Sequence, residues 1–250
     1  MKISSRHILL TSIISTAAAL ALASTSHAQA PIVWTAPTTI VGDTDVSTFG
    51  VFKYAFNLGT TAIATTVNTV PFTGVGFAND GTTGSSVNAS FTLAYTNRES
   101  SDTAYGSAAA PYSGLSAAYK VLLSSGVGSN SPGSTLTLTL NTLTLGTPYV
   151  FQWRTNDSGL AFGGFTTTAT ATNAVTLSEN TTSTNGGVGQ WSSGTFTAAG
   201  ATEIISFSGT RPELNSFQVR TIPEPSAMVL MFGSVGMLLG FKRFGRQARA

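Results

Sequence analysis

Short runs in which apolar and polar residues alternate fill the middle of the chain. In Thr135-Leu136-Thr137-Leu138-Thr139-Leu140 the alternation is strict, so Leu136, Leu138 and Leu140 share one face of an extended segment. The same period of two predicts strands at 51–56, 87–95, 149–154, 164–170, 174–177, 190–197, 203–207 and 216–221. Leu145-Gly146-Thr147-Pro148 has turn chemistry, which makes 149–154 the expected hairpin partner of 135–140. Helical spacing appears at Ser113 to Ser125, where Leu115, Ala118, Tyr119, Leu122 and Leu123 fall on one face and Gly126 ends the run. Many short strands and one short helix predict an all-β fold, an antiparallel β-sandwich of jelly-roll or galactose-binding-like type.

The two ends follow a different pattern. Lys2 and Arg6 precede an apolar run from Ile8 to Ala23, and Ser26-His27-Ala28 is a small-x-small site. This is the order of a signal peptide, with cleavage by signal peptidase expected after Ala28. At the other end, residues 226–241 are apolar and glycine-rich, and Lys242, Arg243, Arg246 and Arg249 follow. A stretch of that kind is expected to form a short transmembrane helix with its basic end, 242–250, on the cytoplasmic side. The expected organisation is a signal peptide at 1–28, a β-sandwich domain at 29–222 and a tail at 223–250.

Pro223-Glu224-Pro225, the short apolar stretch and the basic cluster together resemble the PEP-CTERM sorting signal. The resemblance covers about a tenth of the chain and includes all three parts of the signal. It implies that the membrane protease-transpeptidase exosortase recognises Pro223, Glu224 and Pro225. It also implies export to the cell envelope, with membrane attachment before processing and the cell surface or extracellular matrix as the destination. Two prolines around one glutamate make a stiff, extended strip suited to a protease groove. Val41 to Val46, Thr137 to Asp157 and Leu214 to Arg220 are similar to segments of PEP-CTERM cargo domains of galactose-binding or carbohydrate-module type, which supports the fold more than any ligand.

Charge sharpens this division. The whole chain of 250 residues has a net charge of +2. Six of its basic residues lie in the two ends; between 29 and 225, six basic residues face ten acids, a net −4. A basic nucleic-acid-binding surface is therefore not expected. Both histidines, His7 and His27, lie in the predicted signal peptide, and the chain has no cysteine. A mature domain without His or Cys cannot perform Ser-His-Asp or Cys-His hydrolysis, or hold a His-ligated metal.

The remaining candidates are few. Asp43 and Asp45 form an Asp-x-Asp pair beside Gly42, which suits either a Ca²⁺ loop or a turn whose carboxylates cap backbone N–H groups. No other cofactor is suggested. Trp191 follows a glycine-rich loop, and Tyr105 and Tyr112 lie in a Gly/Ala/Ser/Pro-rich stretch. These three rings are the candidates for stacking against a polysaccharide, whereas Trp153 alternates with Tyr149 and Phe151 as a core residue would. Carboxylate pairs would allow a glycan-active enzyme, but no pair is marked out by its sequence surroundings. The expected function is a non-catalytic envelope or matrix protein that contacts exopolysaccharide.

Overall fold

The computed structural model describes residues 31–129, 131–159 and 164–223. The predicted signal peptide, Glu224, Pro225 and the rest of the tail lie outside these residues. Among the described residues, no helix is long and apolar enough to cross a membrane. The described chain is mainly β, with one α-helix.

Among the described residues, seventeen strands form three sheets. The first sheet has the order β1 (Val33–Trp34), β14 (Gln190–Thr197), β11 (Pro148–Thr155), β17 (Ser216–Thr221), β3 (Val51–Gly59), β5 (Val70–Gly76) and β4 (Thr65–Val67), with β2 (Thr38–Thr39) also pairing with β14. The second has the order β13 (Ala174–Ser178), β12 (Thr166–Thr170), β15 (Glu203–Gly209), β10 (Thr135–Leu140), β7 (Phe91–Tyr95) and β6 (Gly84–Val87). A small third sheet joins β16 (Glu213–Leu214), β9 (Gly126–Ser129) and β8 (Arg98–Ser101).

Period-two patterning puts the main core between the first two sheets. Leu136, Leu138 and Leu140 meet Phe91 and Leu93 on one side, and Phe56, Phe151, Trp153 and Phe217 on the other. The rings interlock edge to face, as Phe91 does on Phe217 at 5.2 Å and Trp153 on Phe207 at 5.0 Å. Each such side chain contributes roughly 1.5–3 kcal/mol by leaving water. The middle strands β3, β11 and β17 are buried on both faces, because a second core covers the outer side of the first sheet. Helix α1 (Ala117–Ser124) supplies Tyr119, Leu122 and Leu123 to it, and Ser116 caps the helix by accepting the Tyr119 N–H at 3.1 Å. Within this layer Arg154 is fully buried, hydrogen-bonded to Gln152 and Ser216 and set over the Phe72 ring.

Three expectations are corrected. Strands 135–140 and 148–155 do not form a hairpin: β10 pairs with β7 and β15 in the second sheet, and β11 with β14 and β17 in the first. The connection carries the chain across the core, with Thr142 and Gly146 in left-handed conformations. The strand expected at 87–95 is a hairpin of β6 and β7, because Asn88 accepts the Ser90 N–H and bonds with Phe91 through its backbone. The pairing is also not wholly antiparallel, since β3 and β5 run parallel.

Strand direction gives the molecule two poles. β11 starts at Pro148 and β17 ends at Thr221 at one pole, where Ile222 donates to the Pro148 carbonyl and the described chain stops at Pro223. Pro31 lines the same groove as Pro148 and Ile222, so both described ends leave from this proximal pole. Eight residues of β11 carry the chain to the opposite, distal pole, about 25 Å away.

Candidate functional site

The distal pole is built from the segments that leave the strands there. β11 runs out through Asn156 and Asp157, β13 through Glu179 and Asn180, and β16 and β8 bring Glu213 and Glu99 alongside. Two asparagines fix the arrangement. Asn215 donates to the Ser125 and Leu123 carbonyls and to Glu213, and accepts the Asn156 N–H at 2.6 Å. Asn156 donates to the carbonyls of Tyr105 and Leu123 and accepts the Gly189 N–H. The chain passes so close here that a Cβ on Gly189 would lie 2.0 Å from the Thr155 carbonyl oxygen, which only glycine avoids.

These segments enclose a cavity of about 10 Å³ lined by Glu99, Tyr105, Asp157, Glu179, Arg211 and Glu213. Four carboxylates thus face one guanidinium, and Arg211 is committed to Glu99 at 2.9 Å. Burial pushes the Glu213 carboxyl well above the usual range, and the charges of Glu179 and Asp157 push it further. Burial likewise pushes Glu179 up to about 8, against the hydrogen bond it accepts from Thr167. Burial also raises the Tyr105 phenol, with Glu213 as the leading neighbouring charge. The buried pair Glu179 and Glu213 therefore holds protons that exposed carboxylates release. The space suits one water-sized molecule and cannot admit a sugar ring.

A second concavity at this pole opens to solvent. It has a volume of about 410 Å³, with Ile40, Val41, Leu115 and Val188 forming apolar walls and Thr39, Thr181 and Thr182 supplying hydroxyls. Val41 is 74% exposed. Thr182 Oγ1 is held against Asn180 and Thr184, so its position is fixed. Apolar walls with hydroxyls between them match the two kinds of surface on a saccharide.

The predicted residues fall as follows. Trp191 packs partly buried against the second core, and its indole N–H has no acceptor among the described residues. Tyr105 and Tyr112 are corrected: they are 6% and 3% exposed, so neither ring offers a face for stacking. Tyr105 points into the acid cavity, and Tyr112 lies in the second core with its hydroxyl on the Lys120 carbonyl. Asp43 and Asp45 are corrected as a Ca²⁺ pair. Asp45 accepts the N–H groups of Val41 and Gly42 and the Tyr119 hydroxyl, while Asp43 accepts from Ser116. They serve separate partners in a 3₁₀ turn, as capping carboxylates do. Among the described residues, no group of three acids, histidines or cysteines is placed to hold a metal ion. Of the sorting motif only Pro223 is described; Ala28, Glu224, Pro225 and the basic cluster Lys242, Arg243, Arg246 and Arg249 lie outside.

Sequence reasoning missed the acid cluster. Its members come from four separate stretches, and each alone looks like a solvated loop acid. The one local hint is Gly126-Val127-Gly128: β9 needs small residues because Pro212 and Glu213 press against it.

No family model matches the chain, and neither does any curated protein. Among solved structures, a chain from work on carbohydrate-binding modules of the β-sandwich superfamily is 15% identical, with a TM-score of 0.23, over 78% of this chain and 96% of that one. At that TM-score the likeness carries no weight for the ligand.

Proposed function

We propose that this chain is an exported, non-catalytic β-sandwich module of the cell envelope or extracellular matrix, sorted through its PEP tail and binding polysaccharide in the distal groove. The observation that carries the binding is the groove itself: the held hydroxyls of Thr181 and Thr182 between apolar walls, in a volume suited to a small ligand, on the pole away from the two described ends. The order of signal peptide, domain, Pro-Glu-Pro, apolar stretch and basic end supports the export and sorting. Exosortase and signal peptidase are the processing partners this order calls for.

Blocking the groove tests the binding. A Cβ on Gly114 meets nothing within 4 Å, and Gly114 lines the groove, so Gly114→Trp adds a bulky ring at its wall from a position with open space. The purified chain should be retained on the host's own exopolysaccharide, and Gly114→Trp should lose that retention while its melting temperature stays put. Equal retention of parent and variant, or none in the parent, would reject the groove as the site.

The acid cavity favours a second reading, a carboxylate-dependent glycan-active enzyme, because it gathers carboxyls whose proton affinities are raised by burial, as the general acid of glycoside hydrolysis requires. Its volume of about 10 Å³ weighs against that reading. Glycan turnover by the parent that disappears in Glu213→Gln would reverse the order of the two.

A further inference from the structure

The proximal pole is apolar where the chain leaves it. Eight large hydrophobic side chains are well exposed among the described residues, and all but Val41 lie at or near this pole. Phe49, Val51 and Phe52 stand where β3 begins, at 61%, 60% and 40% exposure. Val33 and Leu145 flank them on the β1 edge and in the crossing loop, and Val87 and Ile204 lie in a row across the second sheet through Thr92 and Thr139. The fold holds this edge firmly: Arg220 donates to the carbonyls of Thr48, Phe49 and Gly50. Of the acids among the described residues, only Glu203 belongs to this pole, and it is 1% exposed; Glu224, which follows Pro223, lies outside them. Six others, Asp80, Glu99, Asp102, Asp157, Glu179 and Glu213, are at the far end, and Asp43 and Asp45 lie midway along the flank.

Chain length ties this surface to a membrane. Pro223 ends the described chain at the pole, and the apolar stretch begins at Ser226. Three residues span at most about 10 Å when fully extended. If that stretch lies in a bilayer, the pole is held within about 10 Å of where it enters, at the depth of the headgroups. Exposed Phe, Val and Leu side chains gain by entering the headgroup and acyl boundary, and an acidic surface there would oppose it.

We propose that the proximal pole, through Phe49, Val51, Phe52, Val33 and Leu145, is a docking face for the bilayer surface, so that the domain rests on the membrane with its groove pointing outward. This proposal rests on the reading of the tail as membrane-inserted. The chain lacks cysteine, so single labels can be placed without background. Full-length Phe49→Cys, Leu145→Cys and Thr182→Cys would each carry an environment-sensitive fluorophore and be mixed with phosphatidylethanolamine and phosphatidylglycerol vesicles containing a lipid-borne quencher. The expected result is co-flotation of all three, with quenching at 49 and 145 several-fold stronger than at 182 in the distal groove. Co-flotation with equal quenching at all three positions overturns the docking face and leaves the tail reading standing. Failure to co-float overturns the tail reading, and the docking face with it. Removing the apolar side chains gives a second measure: the double variant Phe49→Ser, Leu145→Ser should still co-float, held near the bilayer by the tail, but with several-fold weaker quenching of a label at Val33→Cys, and a label quenched as before would overturn the docking face.

Discussion

The two poles of the molecule are made of different materials and held by different forces. The distal pole buries a cluster of polar side chains: Asn156, Asn215, Asp157, Glu179 and Glu213 are each less than a tenth exposed, and side-chain hydrogen bonds tie one irregular segment to the next. The proximal pole is made of strand ends bound by backbone ladders, and its apolar side chains face outward. Buried polar groups cost free energy unless every one is satisfied, so the distal end is specific and fragile. Exposed apolar groups cost little folding stability, so the proximal end is tolerant and has its surface chemistry free for a partner. The proposed function, in which the chain leaves from one end and binds from the other, needs such a division.

The strongest way to break this comparison is to remove the distal hub. Asn215→Ala would leave the Ser125 carbonyl, the Asn156 N–H and Glu213 Oε1 without their partner in a site that admits little water. Several orphaned buried groups together should cost about 3 to 5 kcal/mol. For a domain of this size that is a fall of roughly 10 °C in melting temperature. Thermal unfolding followed by circular dichroism measures it, and a fall of only one or two degrees would show that the network is dispensable.

The next effect is on pH dependence. Glu179 has its proton affinity raised from the ordinary 4.5 to about 8, and Glu213 is raised in the same direction. Between those values the folded state holds protons that the unfolded state has released, so stability falls as pH rises. Below about 4.5 both states are protonated and the full contribution is present; it is lost as pH passes through about 8. The melting temperature should therefore decline from pH 4.5 to pH 8, the reverse of a domain held by paired carboxylates. Glu213→Gln keeps an oxygen for Asn215, removes a titrating group and should flatten that decline. A parent whose melting temperature rises over this interval would mean that the cluster is ionised and its charge balanced by something other than protons.

The strands and the helix were largely legible because burial imposes a period on the residues that bear it. Thr135 to Leu140 and Gln190 to Thr197 show their faces in sequence, and Tyr119, Leu122 and Leu123 face the core as their spacing predicts. What could not be read was partnership. The β10 and β11 segments look like a hairpin in sequence, and only the need to fill both sides of one core separates them into two sheets. β5 was missed because Pro71, Gly74 and Gly76 hide it; a Cβ on Gly74 would collide with the backbone of Ala62 and Ile63, so the glycine serves packing rather than a turn. The groove and the acid cavity were illegible for the same reason: their residues meet only after the strands have been ordered. Tyr105 and Tyr112 show the opposite error, since a Gly-, Ala- and Ser-rich neighbourhood suggested exposed rings and instead lets large rings sink inward.

The smallest predicted effect is at the proximal pole, and it is the most discriminating. Phe49→Ser and Leu145→Ser should each change stability by less than about 0.5 kcal/mol in solution, because 61% and 62% exposed side chains have little burial to lose. Melting temperatures should stay within one or two degrees of the parent, in contrast to the fall expected for Asn215→Ala. A cost well above 1 kcal/mol for either would mean that these side chains pack on something within the chain, and the pole would then be an extension of the core. A null result in solution together with a changed label signal on vesicles would assign the same two side chains a role outside the fold. That pair of measurements separates a surface that the domain merely tolerates from one that works against a membrane, which stability data alone cannot do.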